Sequence, residues 1–298
     1  MKLNKLITFL LVGALAAMTA TLHAQYGSGA SESKQKSLYE RLGGVHGIAA
    51  VVDNFINRIA KNETVLANKK VVEKIVQHGP AAIKFQVTAF MCKAAGGPQK
   101  YVGQSMLAAH KELGITEAEW ETSGADFVAA MNELKVPMNE QQDVLKLFAS
   151  LKKDIVNVDQ SRDAKMMTAK SSPTSLYSRL GGLDAIAAVV DEFINQLAAD
   201  AVIGSNPNTV KALTSGKVSG AGLKYLVTEQ VCQAAGGPQK YSGRSMKDSH
   251  KDIGISEKEW EAGAAIFKRV LDKFNVPAKE QGELFAIIGS TKKDIVKK

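Results

Sequence analysis

The chain is predicted to be all-α and built as a tandem repeat, and three observations carry that reading. A block opening at Ser37-Leu-Tyr-Glu-Arg-Leu-Gly-Gly44 returns as Ser175-Leu-Tyr-Ser-Arg-Leu-Gly-Gly182. Apolar residues recur at spacings of three and four inside each copy, the period of an amphipathic helix. No stretch alternates with period two, as a half-buried strand would. With 298 residues, 45% of them hydrophobic, the repeat predicts two ordinary cores rather than one large one.

The N-terminus reads as a secretory signal peptide over residues 1–24. Lys2 and Lys5 precede an apolar run from Leu6 to about Ala20, and Leu22-His-Ala24 lies before the polar Gln25; this is the charged, apolar and small-residue layout of such a segment. Leu22 is larger than the residue preferred there, which leaves an uncleaved anchor as the alternative. No cysteine follows the run, against a lipid anchor. Nothing later approaches the roughly 18 apolar residues of a membrane span, so a periplasmic or secreted chain with no stable span after cleavage is expected. The net charge of +8 falls to +6 once Lys2 and Lys5 leave, with 36 basic residues against 30 acidic. The lysines are scattered among glutamates, a solvated surface rather than a nucleic-acid footprint.

Residues 25–36 form a polar, flexible lead-in. The first domain is expected over 37–156 and the second over 175–298, separated by a linker, 157–174, that contains Ser171-Ser-Pro173. After each Gly-Gly corner a helix is predicted through Ile48, Val51, Val52, Phe55, Ile56 and Ile59, repeated as Ile186, Val189, Val190, Phe193, Ile194 and Leu197. The offset between copies then moves from 138 to 140, which places a two-residue insertion within Asp200 to Ser219. Periodicity resumes at Ala81 and at Ala221 and ends at Gly96-Gly-Pro and Gly236-Gly-Pro, where glycine permits the exit and proline stops the ladder. A short helix follows with Met106 and His110, or Met246 and His250, four apart and so on one face. Ser105 is its expected N-cap and Gly114 its stop. Thr116 with Glu119, and Ser256 with Glu259, have capping-box spacing and open a helix burying Trp120, Phe127 and Met131, or Trp260, Phe267 and Leu271. A last helix runs from Pro137 through Val144, Leu147, Phe148 and Leu151. Cys92 and Cys232, the only cysteines, read as small buried residues, each within its own core.

Five histidines occur, and the repeat sorts them. His23 lies in the signal, His46 is matched by Asp184, and His78 falls where the second copy has Val218 or a gap. His110 and His250 alone are equivalent, which points to a shared need for imidazole. A hydrolytic triad would require a serine or cysteine and an orienting carboxylate in both copies. Zinc needs three or four protein ligands. Haem iron needs only one axial residue from the protein, commonly histidine, and one imidazole per apolar helical shell meets that demand.

The Ser37-Leu-Tyr-Glu-Arg-Leu-Gly-Gly run, the helix ending in Phe55, the Gly96-Gly-Pro-Gln-Lys-Tyr-x-Gly-x-x-Met106-x-x-x-His110 segment and Leu113-Gly-Ile115 together resemble the group I truncated haemoglobins. The resemblance covers about 37–156 and again 175–296. It implies tandem globin-like domains, each a truncated two-over-two helical sandwich around haem b, hence two haems per chain, with His110 and His250 as the metal ligands. Met106 and Met246 would pack near the ring or simply fill core. Tyr101 and Tyr241, or Lys84 and Lys224, are candidates to reach its propionates. Phe55 and Phe193 would flank the pocket.

This chain departs from the family at three places. The Phe-Tyr of the second helix is here Phe55-Ile56 and Phe193-Ile194. The polar distal residue falls at Val87 and Val227, with Ile83 and Leu223 one turn earlier; Gln86 is adjacent in the first copy, where the second has Leu226. The family's Phe-Phe is absent from Val65-Leu-Ala-Asn-Lys69 and Val202-Ile-Gly-Ser-Asn206-Pro. An apolar pocket lacks a donor to a polar diatomic ligand, so weak or rapidly released oxygen is expected, with carbon monoxide and nitric oxide relatively favoured. The expected function is reversible binding of a diatomic gas for storage, sensing or scavenging. The alternatives are a haem enzyme, such as a nitric oxide dioxygenase or peroxidase served by an external reductase, and a haem-free helical binding module.

Overall fold

The computed structural model describes residues 36–159, 161 and 171–297. The expected signal peptide, the lead-in except Lys36, and the middle of the linker lie outside the described residues. The first repeat forms α1 (Leu38–Arg41), α2 (Gly44–Ile59), α3 (Glu63–Leu66), α4 (Lys69–Ala94), α5 (Met106–His110), α6 (Glu117–Glu133) and α7 (Met138–Leu151). The second forms α8 (Leu176–Arg179), α9 (Gly182–Ala199), α10 (Ala201–Gly204), α11 (Pro207–Thr214), α12 (Gly220–Ala234), α13 (Met246–His250), α14 (Glu257–Lys273) and α15 (Ala278–Ile295). Among the described residues there is no strand. Two isolated bridges, Ile115 with Val156 and Ile255 with Val296, tie the end of each repeat to the residue before its penultimate long helix.

Local chemistry explains the boundaries. The expected capping boxes form at Thr116–Glu119 and Ser256–Glu259, and a further one at Ser37–Glu40 starts α1. Gly43 and Gly44 turn the chain between α1 and α2 with φ of 82° and 66°, a region that costs L side chains about 1–2 kcal/mol. Inside α4 the helix breaks at Gly79 (φ 72°, ψ 151°), followed by Pro80, which has no N–H to continue the ladder. The second repeat opens this break into the segment between α11 and α12, where Ser219 caps the new helix. The inserted stretch, 200–219, therefore carries the two short helices α10 and α11 and the turn behind them.

Each repeat has two layers. Helix α2 packs on both α4 and α6, as α9 packs on α12 and α14. Phe55 meets Phe127 at 4.9 Å and Phe127 meets Phe148 at 5.4 Å, joining the layers through to α7. Trp120 stacks on Phe148 at 4.2 Å. The arginine of the Ser-Leu-Tyr-x-Arg motif holds the last helix: Arg41 forks onto Glu140 (2.8 Å) and Asp143 (2.6 Å), and Arg179 onto Glu280 (2.9 Å) and Glu283.

The largest core is shared between the two repeats, which corrects the expectation of one core in each, while a smaller cluster of Leu176, Phe267, Leu271 and Leu284 lies within the second repeat. Helix α2 packs against α12 and α9 against α4, so four helices enclose one core holding Val52, Phe85 and Cys92 together with Ile186, Val190, Tyr225 and Cys232. The physical reason is a second apolar face on these helices with small residues on it. Ala49, Ala81, Ala187 and Ala221 line the seam and allow the helices to approach closely. Both cysteines are free and fully buried, as expected, but in this common core rather than one in each.

Candidate functional site

The Gly-Gly-Pro turn aims the histidine. Gly96 leaves α4 at φ 86°, and Gly97 N–H donates to Cys92 O at 2.8 Å, closing the helix end. A Cβ on Gly97 would lie 2.5 Å from the Tyr39 ring, so only glycine lets α1 dock here, where Tyr39 N–H donates to Ala95 O at 2.8 Å. Further on, the Tyr101 hydroxyl donates to Gln104 O at 2.5 Å and its ring lies edge-on to Phe90 at 5.5 Å. Gly103 sits under that ring, where a Cβ would come within 2.7 Å of the Tyr101 hydroxyl. In the second repeat the Tyr241 hydroxyl likewise donates to Arg244 O at 2.8 Å. Both tyrosines thus brace the turn, and these hydroxyl protons are committed to backbone carbonyls.

The short helix then starts on a serine cap. Ser105 Oγ accepts from Ala108 N–H at 3.1 Å and Ser245 Oγ from Asp248 N–H at 3.1 Å. One turn later His110 Nδ1 donates to Met106 O at 2.8 Å, and His250 Nδ1 donates to Met246 O at 2.8 Å. A carbonyl oxygen only accepts, so Nδ1 carries the proton and Nε2 keeps its lone pair; this is the tautomer that a metal-binding imidazole requires. Burial pushes the His110 imidazole below its ordinary range, with the Met106 hydrogen bond working the other way, so the ring is neutral at neutral pH. The methionines contribute a backbone carbonyl to each histidine, a role that sequence reasoning missed because it looked only at their side chains.

The distal candidates are apolar and half-buried. Phe55, Ile56 and Val87 in the first repeat, and Ile194 and Val227 in the second, pack against the common core, while Phe193 packs on the smaller cluster around Phe267 at 5.1 Å. Ile83 and Leu223 are half-buried one turn before Val87 and Val227. Gln86 does not supply the missing donor there by any contact in this structure. Its carbonyl oxygen is buried without a hydrogen-bond partner and lies against the Gly103 turn, 2.6 Å from where a Cβ would stand.

Lys84 and Lys224, the propionate candidates, are placed on the seam instead. Lys84 pairs with Asp53 at 2.7 Å and reaches Asn57 at 2.8 Å, and Lys224 pairs with Asp191 at 2.8 Å. All four charged residues line a cavity of about 30 Å³ between the repeats. Each ammonium group thus has a carboxylate partner on the seam.

The histidines that lack counterparts cross the same seam. His46 Nδ1 accepts from Ser219 N–H at 3.3 Å and its carbonyl accepts from the Ser219 hydroxyl at 2.7 Å. His78 Nδ1 donates to Asp184 at 2.8 Å. Sequence reasoning set both aside because they are unpaired between copies; the signal that they matter is that His46 and Asp184 stand at equivalent positions and each finds its partner in the other repeat.

Comparison with known proteins agrees with the repeat. The model of the bacterial-like globin family matches residues 37–157 and again 175–297. The chain is 30% identical over 122 residues to a group 1 truncated hemoglobin of Mycolicibacterium paratuberculosis, covering 40% of this chain and 82% of that one. It is 28% identical over 127 residues to a group 1 truncated hemoglobin of Synechocystis sp., covering 41% and 98%. Among solved structures, the 2/2 hemoglobin from Synechococcus sp., in the cyanomet state with covalently attached heme, matches at 27% identity, covering 41% of this chain and all of that one, with a TM-score of 0.37. Since the family model covers both repeats, the chain belongs to the bacterial-like globin family as two tandem truncated-globin repeats, a membership that implies haem-based gas binding.

Proposed function

We propose that the protein binds a diatomic gas reversibly at one haem b in each repeat, with His110 and His250 as the axial ligands, in the periplasm or outside the cell. The observation that carries this reading is the doubled hydrogen bond from histidine Nδ1 to the carbonyl four residues earlier. It leaves one neutral nitrogen per repeat free to coordinate, on a helix whose aim is set by the Gly-Gly-Pro turn. When bound, the haem supplies an iron centre for a gas. The protein's part is to hold the imidazole with its Nδ1 proton on a carbonyl and surround the opposite side with Ile56, Ile83 and Val87 or their repeats. Those side chains offer no hydrogen-bond donor, which favours carbon monoxide and nitric oxide over oxygen.

Ultraviolet-visible spectra of the ferric, ferrous and carbonmonoxy forms test the proposal. Two haems per chain are expected, falling to one in either His110→Ala or His250→Ala and to none in the double variant. A chain that takes up no haem, or one whose haem content ignores both substitutions, overturns it. Secretion is tested separately by whether the mature chain recovered from the producing cell begins near Gln25.

A further inference from the structure

The seam between the repeats is built from helices that are equivalent pairwise. Phe85 and Tyr225 occupy the same position 140 residues apart, and their rings stack on each other at 4.7 Å, which places a pseudo-two-fold axis between them. A surface related to its partner by such an axis is self-complementary in shape. Equal repeats of two chains could therefore pair like with like unless side-chain chemistry prevents it.

We propose that the positions at which the repeats differ along this seam form a pairing code that admits an unlike repeat and rejects a like one, so that the seam joins a first repeat to a second and never two equal repeats of different chains. The central difference is Glu229, which stands where the first repeat has Ala89. Glu229 is 1% exposed. One of its oxygens accepts from the Tyr225 hydroxyl at 3.0 Å, and the other from Ser242 N–H and Ser242 Oγ, each at 2.6 Å. None of these partners is a cation. The Ser242 hydroxyl in turn accepts from Gln99 Nε2 of the first repeat at 3.1 Å, and the same Nε2 donates to the Tyr39 hydroxyl at 3.1 Å. The equivalents of Tyr225, Glu229 and Ser242 are Phe85, Ala89 and Val102, so the carboxylate and its three donors occur in the second repeat alone.

Like pairs lose on both counts. Two second repeats would bring two Glu229 carboxylates into one core with no cation, a burial that uncompensated charge opposes strongly. Two first repeats would lack the glutamate and leave its volume empty, and would face Gln99 with Val102 in place of an acceptor. The polar pins at the helix starts repeat this logic. His46 needs the hydroxyl and N–H of Ser219, for which the first repeat offers Gly79, and His78 needs Asp184, for which it offers His46.

Two full-length variants test the code. Ala89→Glu gives the seam a second carboxylate. At pH 7.5 it is expected to lower the unfolding midpoint by about 10 °C and to move mass from one chain to two or more in light scattering. The loss should shrink as the pH falls toward 5, because a shared proton neutralises one carboxyl; a purely steric defect would not respond. The second variant exchanges the network between repeats, combining Phe85→Tyr, Ala89→Glu and Val102→Ser with Tyr225→Phe, Glu229→Ala and Ser242→Val. It should recover the parental mass and midpoint. The proposal is overturned if Ala89→Glu keeps both parental values, or if the exchanged chain recovers neither.

Discussion

Phe85 and Tyr225, equivalent residues of the two repeats, stack at 4.7 Å with their planes 18° apart, and both side chains are buried. The ring pair is the centre of a core that neither repeat owns. Phe85→Ala should therefore cost about 3–5 kcal/mol, and both repeats should unfold in one transition earlier on the denaturant axis. Two separated transitions, with only the first repeat weakened, would show that the repeats are energetically independent.

The conformation of the Gly103 turn decides where His110 points. Gly103→Ala drives a methyl group into the Tyr101 ring, and overpacking of this kind costs about 1–3 kcal/mol. The expected result is a lowered midpoint together with weaker haem retention at the first site alone, read as loss of half the Soret band to a haem acceptor. Equal loss from both sites would count against the turn as the aiming device.

Acid should empty the first site. The unfolded chain takes up a proton on His110 before the folded one does, because burial holds the folded value below the ordinary range. Stability from this residue is therefore full above about pH 6.5 and is lost as pH falls through the lower folded value. Haem release followed against pH should show a component below that point that disappears in His110→Ala. A release profile unchanged by that substitution would contradict the assignment.

A hydrogen-bond donor placed in the apolar distal region should slow oxygen release. Ile56→Tyr in the His250→Ala background isolates the first site. A charge-assisted hydrogen bond of about 1.5–3 kcal/mol corresponds to roughly ten- to hundredfold slower dissociation in stopped flow. No change on this substitution would mean that Ile56 does not face the ligand.

Lys135 and Asn275 occupy the same left-handed turn before the last helix of each repeat, at φ 55° and 54°. Asparagine adopts this region more readily than lysine, whose side chain makes it costly. Lys135→Gly should raise stability by about 0.5–1 kcal/mol, measured by chemical denaturation. A neutral result at Asn275→Gly is the internal control.

The readable features were those governed by local rules. Capping boxes at Thr116 and Ser256, the glycine exits and the four-residue spacing of Met106 and His110 each depend on a few neighbouring residues, and the structure forms all of them. The candidate imidazoles were legible because duplication sets His110 and His250 apart from the rest. Lys84, Lys224, Tyr101 and Tyr241 were read by reach and charge alone, and the structure adds the protein partner that each one holds. The seam was not legible. Helical periodicity reports that Val52 or Phe85 is buried, but not whether the burying surface belongs to the same repeat or to the other. His46 and His78 looked like unmatched differences for the same reason, since their partners Ser219 and Asp184 lie more than a hundred residues away.

The sequence by itself determined an all-α chain of two homologous repeats and the capped helix that carries each histidine. Those follow from spacing and from the duplication. Only the tertiary structure decided that the repeats close on one core and that the unduplicated residues sit on the seam. It also decided that each candidate ligand is fixed in one tautomer by a carbonyl one turn back. These depend on which faces meet and which atoms come within hydrogen-bond reach, and no local pattern of residues encodes either.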